Sequence, residues 1–370
     1  FRASEWHRVQ NAMGARAGQA LPKFQILRIA LIASCVGAFE LTHANPRMRL
    51  QRRAAIAVNA RPLIMGQPDE INDEVDEPPL PEEYGPYLTI KGKGVNAFGA
   101  LYGMQSVLLL GPLWWAALSL CEAVCEQTGW DEKRLFHDSI GKAWSWLNMA
   151  VGGCSPATVT GKENLESIGS GPALYVSNHA SWFDIPLVAQ ILLSQNFKFI
   201  AADELRGLPL VGQQLVDGKH VLIDRTTRRG QLRSYKESVA YLEEGIGIFA
   251  FPEGTRSRSG RMMPFKGGVF SMAMKAGVPI VPISLVGTFA TYPPSAVLPL
   301  LPNGDNLSVH IHPPLPTDQG LTEAELEERT RALILSRLPP EMQPMPEREP
   351  SLERVVTSEA DKISTPAPRA

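Results

Sequence analysis

The residues with the clearest chemical potential are a histidine and an aspartate five positions apart, in Ser177-Asn178-His179-Ala180-Ser181-Trp182-Phe183-Asp184. Imidazole is the side chain best suited to take a proton near neutral pH. A carboxylate bonded to one ring nitrogen fixes its tautomer and raises the basicity of the other. On a regular helix five residues turn through about 140°, so the two side chains cannot meet inside one helix. They can meet if His179 stands in a loop before a helix and its ring folds back over the first turn, where Asp184 lies. Asn178 and Ser181 are both candidates to cap that helix. Such a pair would be a general base with its orienting acid, able to activate a hydroxyl. Alone, His-x4-Asp is a weak signal, because a histidine near an aspartate is more often structural.

A second set follows another apolar run: Phe251-Pro252-Glu253-Gly254-Thr255-Arg256-Ser257. Gly254 lets the backbone come close to a ligand. Arg256 offers a planar fork matched to phosphate, flanked by the hydroxyls of Thr255 and Ser257. The plainer alternative is a tight surface turn with a solvated arginine. A third run, Gly218-Lys219-His220-Val221-Leu222-Ile223-Asp224-Arg225, ends a strand-like segment on another arginine. A fourth, Val278-Pro279-Ile280-Val281-Pro282-Ile283, sets prolines in a buried strand and is expected to shape a pocket wall.

These runs need elements to hold them. Short apolar segments predict strands at Ala173–Val176, Ile246–Phe251, Ile280–Val286 and Leu307–Ile311. Helical patterns lie between them at Leu187–Leu193, Leu232–Glu244 and Gly267–Lys275. Alternation of this kind predicts an α/β layer fold. Ahead of it, Val95–Cys121 holds no charged residue, with Gly111-Pro112 in its middle. That stretch is long enough to span a bilayer, yet proline interrupts helices, so a hairpin dipping into one leaflet competes with a single kinked span. A soluble pair of core helices is a third alternative. Asp131–Ala150 is amphipathic and suits a helix lying on lipid or on the catalytic domain.

Taken in order and spacing, the four runs resemble the motif blocks of the glycerolipid acyltransferase family, specifically the 1-acylglycerol-3-phosphate acyltransferases of plastid and bacterial type. The resemblance runs from about Val95 to Leu338. It implies an α/β, mixed sheet flanked by helices and preceded by a membrane-embedded helical segment. It further implies that His179 is the base and Asp184 its orienting partner. By the same resemblance Glu253, Gly254, Thr255 and Arg256 bind or position the glycerol phosphate, and Arg225 contacts its phosphate. Family members often carry a lysine just before the Glu-Leu after the first helix; here Ala202 stands there, ahead of Asp203-Glu204-Leu205. Lys198, Lys219 and Lys266 are the candidates to replace it, and Lys266 joins the expected substrate-binding set. The implied reaction is attack of the acceptor's sn-2 hydroxyl on an acyl thioester, giving phosphatidic acid. Acyl carrier protein or CoA carries the acyl group as co-substrate, and neither a metal nor a bound cofactor is expected.

Composition bounds the remainder. The 370 residues are 44% hydrophobic and 20% charged, enough for a sizeable core, and the net charge of -2 argues against nucleic acid as a partner. Residues 1–66 read as a leader, signal-like to Ala38 and then arginine-rich and transit-like, with Met13 a candidate initiator. Such a bipartite leader predicts a plastid, with the inner envelope favoured; a signal anchor alone would mean the endoplasmic reticulum. Residues 67–94 read as an acidic linker, 95–150 as membrane-associated helices, 151–338 as the catalytic domain and 339–370 as a disordered tail. The four cysteines suit neither a disulfide framework nor a zinc site.

Other readings are an acceptor of glycerol 3-phosphate or another lysophospholipid, a serine hydrolase built on Ser177 or Ser181, and an inactive lipid-binding membrane protein. The hydrolase lacks a Gly-x-Ser-x-Gly elbow. A binding module would have no use for the His179–Asp184 pair.

Overall fold

The computed structural model describes residues 84–345, apart from 155, 209 and 303–306. The expected leader and most of the acidic linker lie outside the described residues, as do residues 346–370. The linker stretch also ends earlier than expected. An antiparallel hairpin, β1 (Tyr87–Ile90) and β2 (Lys93–Asn96), occupies its last residues.

The uncharged stretch is neither a hairpin nor two helices. One helix, α1, runs Ala97–Thr128 through Gly111-Pro112. Its continuity comes from a π-helical turn over Gln105–Leu110, immediately before the proline. An i→i+5 turn takes in one extra residue and relieves the ladder where proline offers no N–H. The same insertion keeps one face in phase. Leu101 and Leu108 are two turns apart, the π turn carries Leu108 to Leu113, and Leu120 follows two turns later. All four are 62–66% exposed. The opposite face, with Trp114, Leu118, Cys121 and Cys125, is buried.

The amphipathic stretch forms α2 (Leu135–Val151). Its first turn is capped by Asp131, whose carboxylate accepts from the amides of Leu135, Phe136 and His137 at 2.7, 3.0 and 3.1 Å. Trp114 of α1 stacks on Trp144 of α2 with ring centres 4.2 Å apart.

The domain that follows is built on a seven-stranded mixed sheet in the order β3-β9-β8-β4-β7-β5-β6. Its strands are β3 (Thr158–Thr160), β4 (Leu174–Ser177), β5 (Phe197–Ala202), β6 (Val221–Ile223), β7 (Gly247–Ala250), β8 (Ile280–Val286) and β9 (Ser308–Ile311). From β8 through β6 the neighbours are parallel, while β9 runs antiparallel to β8. The helices are α3 (Glu163–Ile168), α4 (Asp184–Ile191), α5 (Val211–Asp217), α6 (Arg228–Glu243), α7 (Val269–Ala276), the short α8 (Thr288–Thr291) and α9 (Glu323–Leu335). Each expected strand and helix is present within a few residues of its predicted ends. β3 and β5 are strands beyond those expected: three residues is too short for a pattern, and Lys198 breaks the apolar run of β5.

Period-two alternation splits the core across the sheet. Leu174, Val176, Ile248 and Ala250 face one side, with α6, α7 and α9. Ala173, Tyr175, Phe249 and Val281 face the other, with α2, α3 and α4. The domain also runs past Leu338: Met342 is buried, and its carbonyl accepts from Met262 N at 2.8 Å.

Candidate active site

The carboxyl ends of the parallel strands β4, β7, β5 and β6 lie on one edge of the sheet, where open α/β sheets bind ligands. Two of the four motif runs follow β4 and β7 there, and a third, Gly218–Arg225, ends there after β6. His179 follows β4, and Asp184 is the first residue of α4. The His179 ring folds back over that turn, with Nδ1 2.8 Å from Asp184 Oδ2. The same oxygen accepts from the amides of Ala180 and Ser181, each at 2.8 Å. That oxygen is an acceptor to both amides, so it meets the ring as an acceptor too and the imidazole donates from Nδ1. That leaves the Nε2 lone pair free to accept a proton. The Asp184 side chain is fully buried, whereas 13% of the His179 side chain is open.

Two further contacts fix the ring. It stacks on Phe251 with ring centres 3.8 Å apart and planes 15° apart. Its backbone is held on both sides, by Ser257 N donating to His179 O at 2.9 Å and by His179 N donating to Glu253 Oε1 at 2.6 Å. Asn178 does not cap α4. It ties β4 to β8, its side chain donating to Leu285 O and accepting from Leu285 N, both at 2.9 Å.

Glu253 stands where sequence alone does not put it. Both carboxylate oxygens are engaged by backbone, the second by Met263 N at 2.9 Å, and the residue is 1% exposed. Burial pushes its pKa up to about 8, while the Met263 and His179 amides pull it down. Its carboxylate thus clamps the β4 and β7 loops together and has no oxygen turned to a ligand.

Arg256 lies over the Trp182 ring at 4.6 Å, which brings the second motif's arginine over the first motif's loop. The sequence does not single out Trp182 for this role, and no spacing rule predicts it. Gly254 has φ +75°, and a Cβ there would sit 3.1 Å from Lys266 Cδ. Glycine is therefore required both for the turn and for the close pass of the lysine. Thr255 is exposed beside them.

Arg225 is not part of this cluster. It is exposed after β6, and β7 and β5 intervene between that strand and β4. Three strand spacings make this about 14 Å.

Of the lysines considered as replacements at position 202, Lys198 is excluded. It is fully buried and donates to Asp138 Oδ2 at 2.5 Å and to Gly218 O at 2.7 Å. Lys219 donates to Glu132 O at 2.8 Å, on the α2 side of the sheet edge. Only Lys266 reaches the motif loops.

The serine alternatives are occupied. Ser177 Oγ donates to Asn178 O, and Ser181 Oγ donates to Tyr292 O while accepting from Phe183 N. Both serines are fully buried, and neither hydroxyl is turned to His179 Nε2. Among the described residues, the group of potential metal ligands is Cys121, Cys125 and Asp131. Its carboxylate is the one that caps α2.

Residues 156–286 match the Acyltransferase family model. A 1-acyl-sn-glycerol-3-phosphate acyltransferase of Chlamydomonas reinhardtii is 34% identical over 210 residues, covering 57% of this chain and 60% of that protein. A chloroplastic enzyme of the same name from Brassica napus is 37% identical over 183 residues, covering 50% and 51%. The chain thus spans between half and two thirds of the length of these relatives. The crystal structure of a 1-acyl-sn-glycerophosphate acyltransferase from Thermotoga maritima aligns with a TM-score of 0.47 at 24% identity, covering 64% of this chain and 91% of that one. His179, Asp184, Arg225, Glu253, Gly254, Thr255, Arg256 and Lys266 all fall within the segment that matches the Acyltransferase family model.

Proposed function

We propose that the chain transfers an acyl group from a thioester to the sn-2 hydroxyl of 1-acylglycerol 3-phosphate, giving phosphatidic acid. The observation that carries this reading is the His179 ring, held by Asp184 at Nδ1 with Nε2 free at the open edge of the sheet. A hydroxyl is a poor nucleophile, and a base within hydrogen-bond reach typically contributes about 10²–10⁴-fold. His179 Nε2 takes the hydroxyl proton as the oxygen attacks the thioester carbonyl. The C–S bond then breaks, and the proton passes from the imidazolium to the leaving thiolate. Asp184 stabilises that imidazolium.

Arg256, Lys266 and the Gly254–Thr255 turn hold the glycerol phosphate, with Arg225 marking the far end of the same sheet edge. Glu253 acts on them by fixing both loops. The named relatives support the acceptor, and no metal or bound cofactor is needed for this chemistry.

The exposed stripe of α1 supports a membrane seat for the enzyme, next to its lipid acceptor. At 1.5 Å per residue the 32-residue helix is about 48 Å long, more than the bilayer core requires. Because its other face is packed along α2, we favour α1 lying in one leaflet over a free span. The chloroplastic relatives support a plastid membrane, with the inner envelope favoured over the endoplasmic reticulum.

The test is phosphatidic acid formation from lysophosphatidic acid by the full chain, beside His179→Ala. A loss of at least about 100-fold in the variant, with its melting curve unchanged, is the expected result. A variant that keeps its turnover overturns the role of His179. A parent protein that acylates only glycerol 3-phosphate or another lysophospholipid overturns the acceptor, and one that binds lipid without turnover leaves a binding protein.

A further inference from the structure

α6 carries a surface that the reaction above does not use. Arg228 and Arg229 open the helix, and Arg233 and Lys236 continue it. Arg229, Leu232, Arg233 and Lys236 follow the i, i+3, i+4, i+7 rule and share one face. All four are exposed, Leu232 at 45%. Among the described residues none of these cations is held in an ion pair; Glu237, one turn on, is the acid whose charge reaches Arg233. The result is an exposed leucine framed by positive charge.

The placement of the charge is unfavourable to the helix itself. The first turn of α6 contains no acid, although the positive end of the helix dipole lies there and favours anions; the acid next to it, Asp224, is bonded to Thr226 and Thr227 just ahead of the helix. Two arginines at that end add to the same field, so the surface is suited to a negatively charged partner.

Position narrows the choice of partner. α6 leaves the carboxyl end of β6 and returns toward β7, so its first two turns lie at the edge of the sheet that carries the site. Its buried residues Val239, Tyr241 and Leu242 pack on one face of the sheet. α2, with α1 against it, packs through Met149 on the opposite face, and its first residue, Leu135, and the preceding Lys133 reach round to the last turn of α6, away from the basic stripe at its start. The basic stripe is thus turned away from the apolar helix layer, which favours a soluble anionic macromolecule over the bilayer. An apolar side chain at the centre of a charged ring is also what a protein interface provides.

Resting on the thioester reading above, we propose that this face of α6 is the docking surface for an acidic protein that carries the acyl thioester. β6, from whose end α6 leaves, stands three strand spacings, about 14 Å, from the His179 strand, so a carrier seated on α6 delivers its acyl group across at least that distance. That distance is one for a flexible arm and not for direct contact. Arg225, at the near end of the path, lies between the two.

The experiment uses the full chain and the triple variant Arg229→Glu, Arg233→Glu, Lys236→Glu, with acyl carrier protein and CoA as alternative thioester carriers. Direct binding of the carrier protein is measured by titration beside turnover. The expected result is a kcat/KM for the protein-borne donor that falls at least about tenfold through KM, as loss of charge complementarity predicts. Transfer from acyl-CoA stays within about twofold, and added salt weakens the parent's use of the carrier more than the variant's. The charge-conserving Arg229→Lys, Arg233→Lys protein retains most of the carrier preference.

Equal losses with both donors overturn the proposal, as does carrier binding that the triple variant leaves unchanged. So does a variant that keeps its donor preference but no longer sediments with phosphatidylglycerol vesicles, which assigns the stripe to lipid. If the parent transfers from neither donor, the reaction reading fails by itself, and the binding titration still decides whether α6 docks the carrier.

Discussion

Two imidazoles in this protein each approach an oxygen at 2.8 Å, from β4 and β9, two strands apart in the sheet, and the geometry suits only one of them to act as a base. His179, after β4, meets Asp184. His312, after β9, meets Ser284 in β8. By composition the His312 pair is the more suggestive, a buried serine beside a histidine. The hydrogen bonds run the wrong way for it. Ser284 Oγ donates to Ile334 O at 3.0 Å, so its contact with His312 is as acceptor, and the imidazole donates. The serine proton is committed to a backbone carbonyl, and His312 is 3% exposed. Burial, reinforced by His310 and Arg337, lowers its pKa to about 4. Distance alone therefore does not make a base. What the neighbouring oxygen does with its own hydrogens decides it.

The comparison breaks first at Asp184. Asp184→Asn keeps an oxygen for the Ala180 and Ser181 amides but removes the charge that holds the imidazole tautomer. We expect kcat to fall by about 10²–10⁴ with the fold intact, while Ser284→Ala leaves kcat unchanged. A large loss in Ser284→Ala would reverse the assignment of the two sites. Next is Glu253→Gln. It sets an amide nitrogen against one of two backbone N–H groups, for a cost of about 1–3 kcal/mol in unfolding free energy. It also loosens the loop under His179, lowering kcat by about 10- to 100-fold. Retained activity in that variant would mean the clamp does not position the base.

The smallest effect expected is on stability, at His312. Its folded-state pKa lies below the ordinary value of 6.5, so the unfolded chain takes the proton first as pH falls. The neutral imidazole's contribution is complete above about pH 6.5 and is lost between there and about pH 4. Urea midpoints followed from pH 7 to 4.5 are expected to fall more steeply for the parent than for His312→Asn. Parallel curves would show that His312 is free to protonate in the folded state.

The contrast between α1 and α4 shows how much of this is open to inspection before the fold. Both contain a proline, one in the first turn and one at mid-helix. At Pro186 the helix has only just begun, so nothing is interrupted and the boundaries agree within three residues. At Pro112 a break is the reasonable expectation, because a π turn leaves no mark in a composition without charges to set its phase. Glu253 departs from expectation for a similar reason. A glutamate beside an arginine in a glycine turn has the character of a ligand contact, and only folding brings the amides of His179 and Met263 to its two oxygens.

The sequence by itself determined the alternation of strands and helices, the uncharged segment before them and the spacing that lets His179 meet Asp184. Those are matters of residue type, period and short spacing, which the chain carries locally. Tertiary structure alone decided that Lys198 is a buried partner of Asp138 and that Arg225 stands three strands from the base. It also turned the basic face of α6 away from the apolar one of α1. Each depends on which strands become neighbours and on which side of the sheet a helix crosses. Contacts between residues tens to hundreds of positions apart settle those choices, and no local pattern encodes them.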